Sequence, residues 1–203
     1  LLNITLKELM SKNKNIVSIK NLEQVFKSTT HFSVIDKNGN ALSATSSIES
    51  SFGSRLFTNG FFLNNQLTDF DFQKTNTLGK LNKNRPQGGK KPLSSMAPLL
   101  IFDEKDNFVL SVGSPGGKAI ISYVLKSLIH VLFQNKSIKE AIESPNYIRI
   151  KNKTFIEHEK LKKYIKHETV KRNLTSGISI IKKEEDYYSA GTDSRRDGTV
   201  RGK

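Results

Sequence analysis

The sequence contains no cysteine among its 203 residues. This absence excludes disulfide bonds, thiolate metal sites and a cysteine nucleophile. Four histidines, at positions 31, 130, 158 and 167, are scattered along the chain without the spacing of metal ligands. We therefore predict no metal site and no other cofactor.

Long hydrophobic runs are also missing. No stretch approaches the roughly 18 consecutive apolar residues of a membrane span, and no charged segment ahead of an apolar run resembles a signal peptide. The chain begins with Leu1 rather than Met. We expect it to be a piece of a longer precursor, folded as one domain or as a domain with a short appendage.

Acidic residues are scarce relative to basic ones. The 19 Asp and Glu residues stand against 33 Lys and Arg residues, which gives a net charge of +14. A basic excess invites a nucleic-acid partner, but the lysines are spread out and no aromatic-interleaved basic motif occurs. We interpret the charge as solvated surface and predict no nucleic-acid partner, although a basic surface can attract an anionic small substrate.

The apolar pattern predicts strands, then helices, then strands. Residues 1–28 fit two short amphipathic helices without a partner, and residues 31–48 fit a β-hairpin around the Asn38-Gly39 turn. A third short strand is predicted at 60–65, and a strand pair at 97–102 and 107–113.

Between these strands, residues 70–91 form a predicted long surface loop, either a functional lid or a tolerated insertion. A helix follows from Lys118, with Ile121, Val124 and Leu125 in an apolar stripe typical of packing on a core. A second helix begins at the Ser137 N-cap and is stopped by Pro145.

The C-terminal third completes the predicted fold. We predict short strands in "NYIRI" and "KTFIEH", a basic helix near 159–167, and closing strands in "SGISII" and "DYYSAG". The order of elements predicts an α+β fold with layered antiparallel sheets.

Three hydroxyl residues, Ser28, Thr29 and Thr30, stand directly ahead of the first strand. A Thr hydroxyl is a weak nucleophile unless a base lies beside it, and its own α-amine can serve once the preceding peptide bond is cut. That amine has a pKa near 8 and accepts a proton near neutral pH. Turn or edge residues are the simpler interpretation of this cluster taken alone.

Three downstream segments supply groups that such a nucleophile needs. In "LNNQLTDF" (63–70), an amide and a carboxylate suit an ammonium group. In "KPLSSMAP" (91–98), adjacent serines between prolines suit a carboxylate. In "GSPGG" (113–117), backbone N–H groups ahead of a helix suit an oxyanion.

Together these segments resemble the γ-glutamyltranspeptidase family, also called glutathione hydrolases. "TTHFSVID", "FLNNQLTDF", "KPLSSMAP" and "VGSPGG" occur in the family's order and at similar separations, and "AGTDSRRDG" is similar to its C-terminal end. The resemblance covers residues 29 to about 197. It implies an N-terminal-nucleophile hydrolase fold, a four-layer αββα sandwich of which this chain supplies part.

The resemblance also implies a precursor that cuts itself between Ser28 and Thr29. Residues 1–28 would be the tail of the large-subunit region, and residues 29–203 the small-subunit catalytic domain. The expected partner is the large subunit of the same precursor. The family's location implies a periplasmic or extracellular protein.

The resemblance also implies roles for individual residues of this sequence. Thr29 would be the nucleophile, hydrogen-bonded by Ser47, and His31 would orient the first strand. Substrate would be a γ-glutamyl amide such as glutathione, with water or an amino-acid or peptide acceptor taking the γ-glutamyl group. The remaining expected contacts are Gly116 and Gly117 for the oxyanion, Glu49, Gln66 and Asp69 for the α-ammonium, and Ser94 and Ser95 for the α-carboxylate.

Two alternatives stay open. One is a related amidase, such as a poly-γ-glutamate depolymerase or an acylase. The other is an inactive basic binding module. The family also binds substrate with an arginine of the large subunit, so we expect these 203 residues alone to turn over substrate poorly.

Overall fold

The computed structural model describes residues 27–202, with side chains from residue 29 onward. The first predicted helix and most of the second lie outside the described residues. Lys27 and Ser28, the last two residues of the second predicted helix, instead belong to a β-strand.

The described residues form strands and helices in the predicted order. The short 3₁₀ helices cover Gln66–Asp69, Gly117–Ala119 and Glu159–Tyr164, and a π-helical turn covers Ile129–Phe133. The α-helices are α1 (Ile120–Leu128) and α2 (Ile138–Glu143). The strands are β1 (Lys27–Ile35), β2 (Ala41–Ser50), β3 (Phe57–Thr58), β4 (Phe61–Phe62), β5 (Leu99–Phe102), β6 (Phe108–Gly113), β7 (Tyr147–Ile150), β8 (Lys153–Ile156), β9 (Glu168–Lys171), β10 (Ser179–Lys183) and β11 (Tyr188–Thr192).

The predicted hairpin is confirmed: β1 and β2 pair antiparallel. Its turn is held by Asp36, whose Oδ1 accepts hydrogen bonds from the N–H groups of Asn38 and Asn40 at 2.8 and 2.9 Å. The predicted strand at 60–65 is much shorter, because only Phe61 and Phe62 pair, with Phe57 and Thr58.

A four-stranded antiparallel sheet in the order β11-β10-β6-β5 forms the centre of the fold. Side chains alternate between its two faces. On one face, Leu110 and Val112 of β6 are buried with the helix residues Ile120 and Val124. On the other face, Ser111 contacts Ser33 of the hairpin at 2.7 Å. The described chain is therefore layered as hairpin, sheet and helices.

A second sheet, β7-β8-β9, differs from the prediction. Strands β7 and β8 pair antiparallel as expected, but β9 joins β8 in parallel. The predicted basic helix near 159–167 is a 3₁₀ helix that ends at Tyr164, and the chain then enters β9.

The predicted apolar stripe of helix α1 is confirmed in part, because Val124 lies in the core whereas Ile121 and Leu125 do not. Ile121 and Leu125 are 56% and 54% exposed, whereas Ile120, Tyr123 and Val124 are buried. Apolar residues stand side by side at Ile120–Ile121 and at Tyr123–Leu125, so periodicity alone could not identify the face that meets the sheet. Helix α2 agrees with its prediction, including the Ser137 capping box.

Candidate active site

The inward face of the hairpin carries a ladder of polar pairs. Thr29 lies opposite Ser47, His31 opposite Thr45, and Ser33 opposite Ser43. Residues two apart along a strand share one face, so the strand register brings these hydroxyls and the imidazole together. The ladder faces the central sheet, where a hydrophobic face would be the common choice.

Thr29 stands at the end of this ladder. Its Oγ1 is 3.1 Å from Ser47 Oγ, and the N–H of Glu49 donates to the same Ser47 oxygen at 3.0 Å. The strand register shifts between Lys27 and Thr29, which is where the predicted scissile bond after Ser28 lies.

The hydrogen-bond partners of His31 are two hydroxyl side chains further along the ladder. Its Nδ1 lies 2.8 Å from Thr45 Oγ1 and its Nε2 lies 3.2 Å from Ser33 Oγ. Burial lowers the pKa of His31 to about 4, so the imidazole is neutral at neutral pH. These contacts agree with the prediction that His31 orients the first strand.

Two carboxylates, those of Glu49 at the end of β2 and of Asp69, form an acidic wall. Glu49 has a φ of 68°, a left-handed conformation that is uncommon for this residue type. Its Oε2 accepts hydrogen bonds from Ser50 Oγ and, at 2.9 Å, from Asn65 Nδ2. Further along, Gln66 Nε2 donates to Asp69 Oδ2.

These groups surround one cavity of about 220 Å³. That volume is below the roughly 300–1,000 Å³ typical of sites for drug-sized ligands and suits a molecule of amino-acid size. Eight of the predicted site residues line it, namely Thr29, Ser47, Glu49, Gln66, Asp69, Ser94, Ser95 and Gly117.

Gly116 does not line the cavity but shapes the loop beside it. It has a φ of 143°, and a Cβ there would lie 2.5 Å from the ring of Tyr123. A side chain at this position is therefore excluded by backbone conformation and by space. Ser28 is described only by its backbone in β1.

A buried polar network anchors the same loop. Ser114 Oγ accepts a hydrogen bond from the N–H of Gly177 at 3.1 Å. The adjacent Ser176 donates to Asp193, whose other carboxylate oxygen pairs with Arg195 at 3.0 Å. The C-terminal "TDSRRDG" segment is thereby linked to the glycine loop through Ser176 and Gly177.

The long loop at 70–91 reaches the cavity through Asn84. This side chain donates from Nδ2 to the Asp69 carbonyl at 2.7 Å and accepts from the N–H of Leu93 at 3.0 Å. Its place in the lining was missed from the sequence, because nothing in the loop's polar composition singles out one asparagine.

Lys118 also lines the cavity and was missed. The signal for it was its position directly after the glycine pair of "GSPGGK". Residues 27–202 contain no cluster of three or more His, Asp or Glu side chains that could hold a metal ion. The same residues contain no helix with the length and apolar character of a membrane span.

The model of one protein family, γ-glutamyltranspeptidase, matches residues 4–202. This chain belongs to the γ-glutamyltranspeptidase family. The family predicted from the four sequence motifs is thus confirmed. The members of this family are hydrolases and acyltransferases.

Curated relatives agree with this assignment. The chain is 44% identical to the glutathione hydrolase proenzyme of Bacillus subtilis over 119 residues, 58% of this chain and 19% of the relative. It is 31% identical to the capsule biosynthesis protein CapD proenzyme of Bacillus anthracis over 200 residues, 93% of this chain and 35% of the relative. The chain thus spans about a fifth to a third of these relatives.

A solved structure confirms the fold. A crystal structure of a Helicobacter pylori γ-glutamyltranspeptidase mutant superposes with a TM-score of 0.71 at 29% identity. The match covers 82% of this chain and 100% of that chain. The α+β fold of the N-terminal-nucleophile hydrolase type is therefore confirmed.

Proposed function

We propose that this chain is the catalytic portion of a γ-glutamyl hydrolase and transpeptidase that acts on glutathione and related γ-glutamyl amides. The observation that supports this most is the Thr29 hydroxyl, 3.1 Å from Ser47 Oγ, in a cavity that also contains an acidic wall and a serine pair. The nucleophile becomes N-terminal when the precursor cuts itself after Ser28.

The proposed reaction has two steps. Thr29 Oγ1 attacks the γ-carbonyl carbon while the Thr29 α-amine takes the hydroxyl proton, and the N–H group of Gly117, which lines the cavity, stabilises the oxyanion. The C–N bond then breaks, the amine leaves with that proton, and a γ-glutamyl ester remains on Thr29. Water or an acceptor amine attacks the ester, which releases glutamate or a new γ-glutamyl amide.

The two ends of the glutamyl group have matching contacts in the cavity. Glu49 and Asp69, with Gln66, offer oxygens to the α-ammonium, and charge-assisted hydrogen bonds of this kind are strong. Ser94 and Ser95 offer hydroxyls to the α-carboxylate. This combination favours a free γ-glutamyl end over an internal amide of a polymer.

The proposed partner is the large subunit of the same precursor, residues 1–28 being its tail and residues 29–203 the small-subunit domain. The outward face of the hairpin supports this. Phe32, Val34 and Leu42 are 47%, 50% and 49% exposed there, and a partner would cover them. By family resemblance we propose a periplasmic or extracellular location.

The test compares the wild type and variants, each expressed as the full precursor, with γ-glutamyl p-nitroanilide as donor. We expect release of the anilide by the wild type and loss of at least about 10³-fold in kcat for Thr29→Ala, since the nucleophile is removed. Thr29→Ser keeps a hydroxyl and is the matched control, expected to retain measurable turnover. Equal activity of Thr29→Ala and the wild type would contradict the proposal.

A second candidate is an N-terminal-nucleophile amidase that acts on poly-γ-glutamate. The observation that favours it is the match to the CapD proenzyme along 93% of this chain. The two candidate functions differ in the length of the substrate chain. Faster turnover of poly-γ-glutamate than of glutathione, measured as new amino groups released, would favour the second.

A further inference from the structure

Lys118 is a cation in the wall of the candidate cavity. It follows Gly117 directly, in the 3₁₀ turn that leads into α1, and its side chain is exposed. The other charged residues of the lining are Glu49 and Asp69. Lys118 is therefore the positive charge of this cavity among residues 27–202.

The charge of Lys118 is not neutralised by its neighbours. Within the described chain, no hydrogen bond or ion pair joins its ammonium to another residue. Both acidic residues accept hydrogen bonds from side-chain amides, Glu49 from Asn65 at 2.9 Å and Asp69 from Gln66. The cavity thus presents an acidic surface and a separate basic group.

The position of Lys118 assigns that basic group to the reacting end of the substrate. Gly117 is the residue proposed to contact the γ-carbonyl oxygen, and Lys118 is its neighbour in the chain. The acidic residues are proposed to hold the opposite, α-ammonium end of the glutamyl group. A flexible four-carbon stem then carries the Lys118 ammonium toward the amine half of the donor.

The amine half of many γ-glutamyl donors is an anion. When it is an amino acid, its carboxylate is one carbon away from the scissile amide nitrogen. We propose that Lys118 binds this carboxylate and makes the enzyme prefer γ-glutamyl amino acids to uncharged γ-glutamyl amides. The proposal rests on the proposed function of the site. The same contact would favour amino acids over neutral amines as acceptors.

The test compares two donors that differ only in this charge, γ-glutamylglycine and γ-glutamylglycinamide, with the processed enzyme. In the wild type, kcat/KM is expected to be higher for γ-glutamylglycine, and the preference should shrink in 0.5 M salt because exposed ion pairs are screened. Lys118→Met should lower the ratio of the two kcat/KM values about 5-fold. Lys118→Arg should keep most of it. The matched control is Lys105→Met in the exposed β5–β6 turn, expected to leave the ratio unchanged.

Two results would overturn the proposal and leave the proposed function intact. One is an unchanged ratio in Lys118→Met with both kcat/KM values lowered equally, which would place the ammonium on the glutamyl half or the oxyanion. The other is an unchanged ratio with both values unchanged. No turnover of either donor or of the anilide by the processed wild type would instead overturn the proposed function, and this inference with it.

Discussion

The two faces of the β1–β2 hairpin reverse the usual distribution of polarity. The inward face, against the central sheet, carries Thr29, His31 and Ser33, whereas the outward face carries Phe32 and Val34. A hairpin that folds for its own stability buries apolar side chains and exposes polar ones. The reversal supports the proposed catalytic role of the inward face and the proposed partner contact of the outward face.

The largest expected effect on folding stability comes from a substitution that occupies the space of the His31 ring between the hairpin and the sheet. A Cβ at Gly113 would lie 2.1 Å from His31 Cε1, so Gly113→Ala must displace the imidazole or the sheet. We expect a loss of about 2–4 kcal/mol in the free energy of unfolding, measured by denaturant titration of the processed enzyme.

Gly88→Ala is the matched control for this substitution. A Cβ at Gly88 meets nothing within 4 Å and its φ is not positive, so we expect a change within about 0.5 kcal/mol. Equal effects of the two substitutions would show that the hairpin does not pack closely on the sheet at His31.

A pH-dependent loss of stability is expected next in size. The folded state lowers the pKa of His31 to about 4 from its ordinary 6.5, so the unfolded chain alone takes up a proton between these values. Its contribution to stability is present above pH 6.5 and is lost as the pH falls to 4. The full difference corresponds to about 3.4 kcal/mol, and the partial exposure of the ring reduces the expected loss to about 2 kcal/mol.

The measurement is the free energy of unfolding from pH 4 to 7 for the wild type and for His31→Gln. The variant lacks the titrating ring and should show a shallower decline over this range. Identical slopes would assign the decline to other groups.

A substitution on the outward face is expected to have a smaller effect, on subunit association rather than on folding stability. Phe32→Ser is expected to weaken association with the large subunit by about 1–3 kcal/mol, since a buried aromatic contact is lost. Subunit dissociation in urea, followed by size exclusion, measures this. Leu78→Ser, at an exposed apolar residue of the long loop, is the control expected to leave dissociation unchanged. Equal dissociation of the two variants would contradict a partner on this face.

The smallest effect is expected at Thr30, the hydroxyl neighbour of the proposed nucleophile. It points outward and pairs with Ser46, so Thr30→Ala should change kcat for the anilide by less than about 3-fold. A loss as large as that expected for Thr29→Ala would contradict the assignment of Thr30 to the outward face of β1.

The sequence predicted those features that depend on local pattern. Alternating residues and the Asn38-Gly39 turn predicted the hairpin, and the motifs around Thr29, Asp69 and Ser94 predicted groups that one cavity brings together. What failed depends on tertiary contacts. Ile121 and Leu125 each follow another apolar residue, Ile120 and Val124, so only packing could show which residue of each pair is buried.

Strand β9 and the contact of Asn84 were missed for a related reason. Strand β9 is a four-residue strand with a Glu and a Lys at its ends, and only its parallel pairing with β8 defines it. Asn84 comes from a loop without periodicity, and its place beside Asp69 depends on how that loop folds back.

The central claim is that Thr29 is a nucleophile exposed by cleavage after Ser28. N-terminal sequencing and intact mass of the small fragment, after expression of the full precursor, test it most directly. We predict a fragment that begins at Thr29 in the wild type and an uncut precursor for Thr29→Ala. A wild-type precursor that stays whole, or a fragment that begins at another residue, would contradict it.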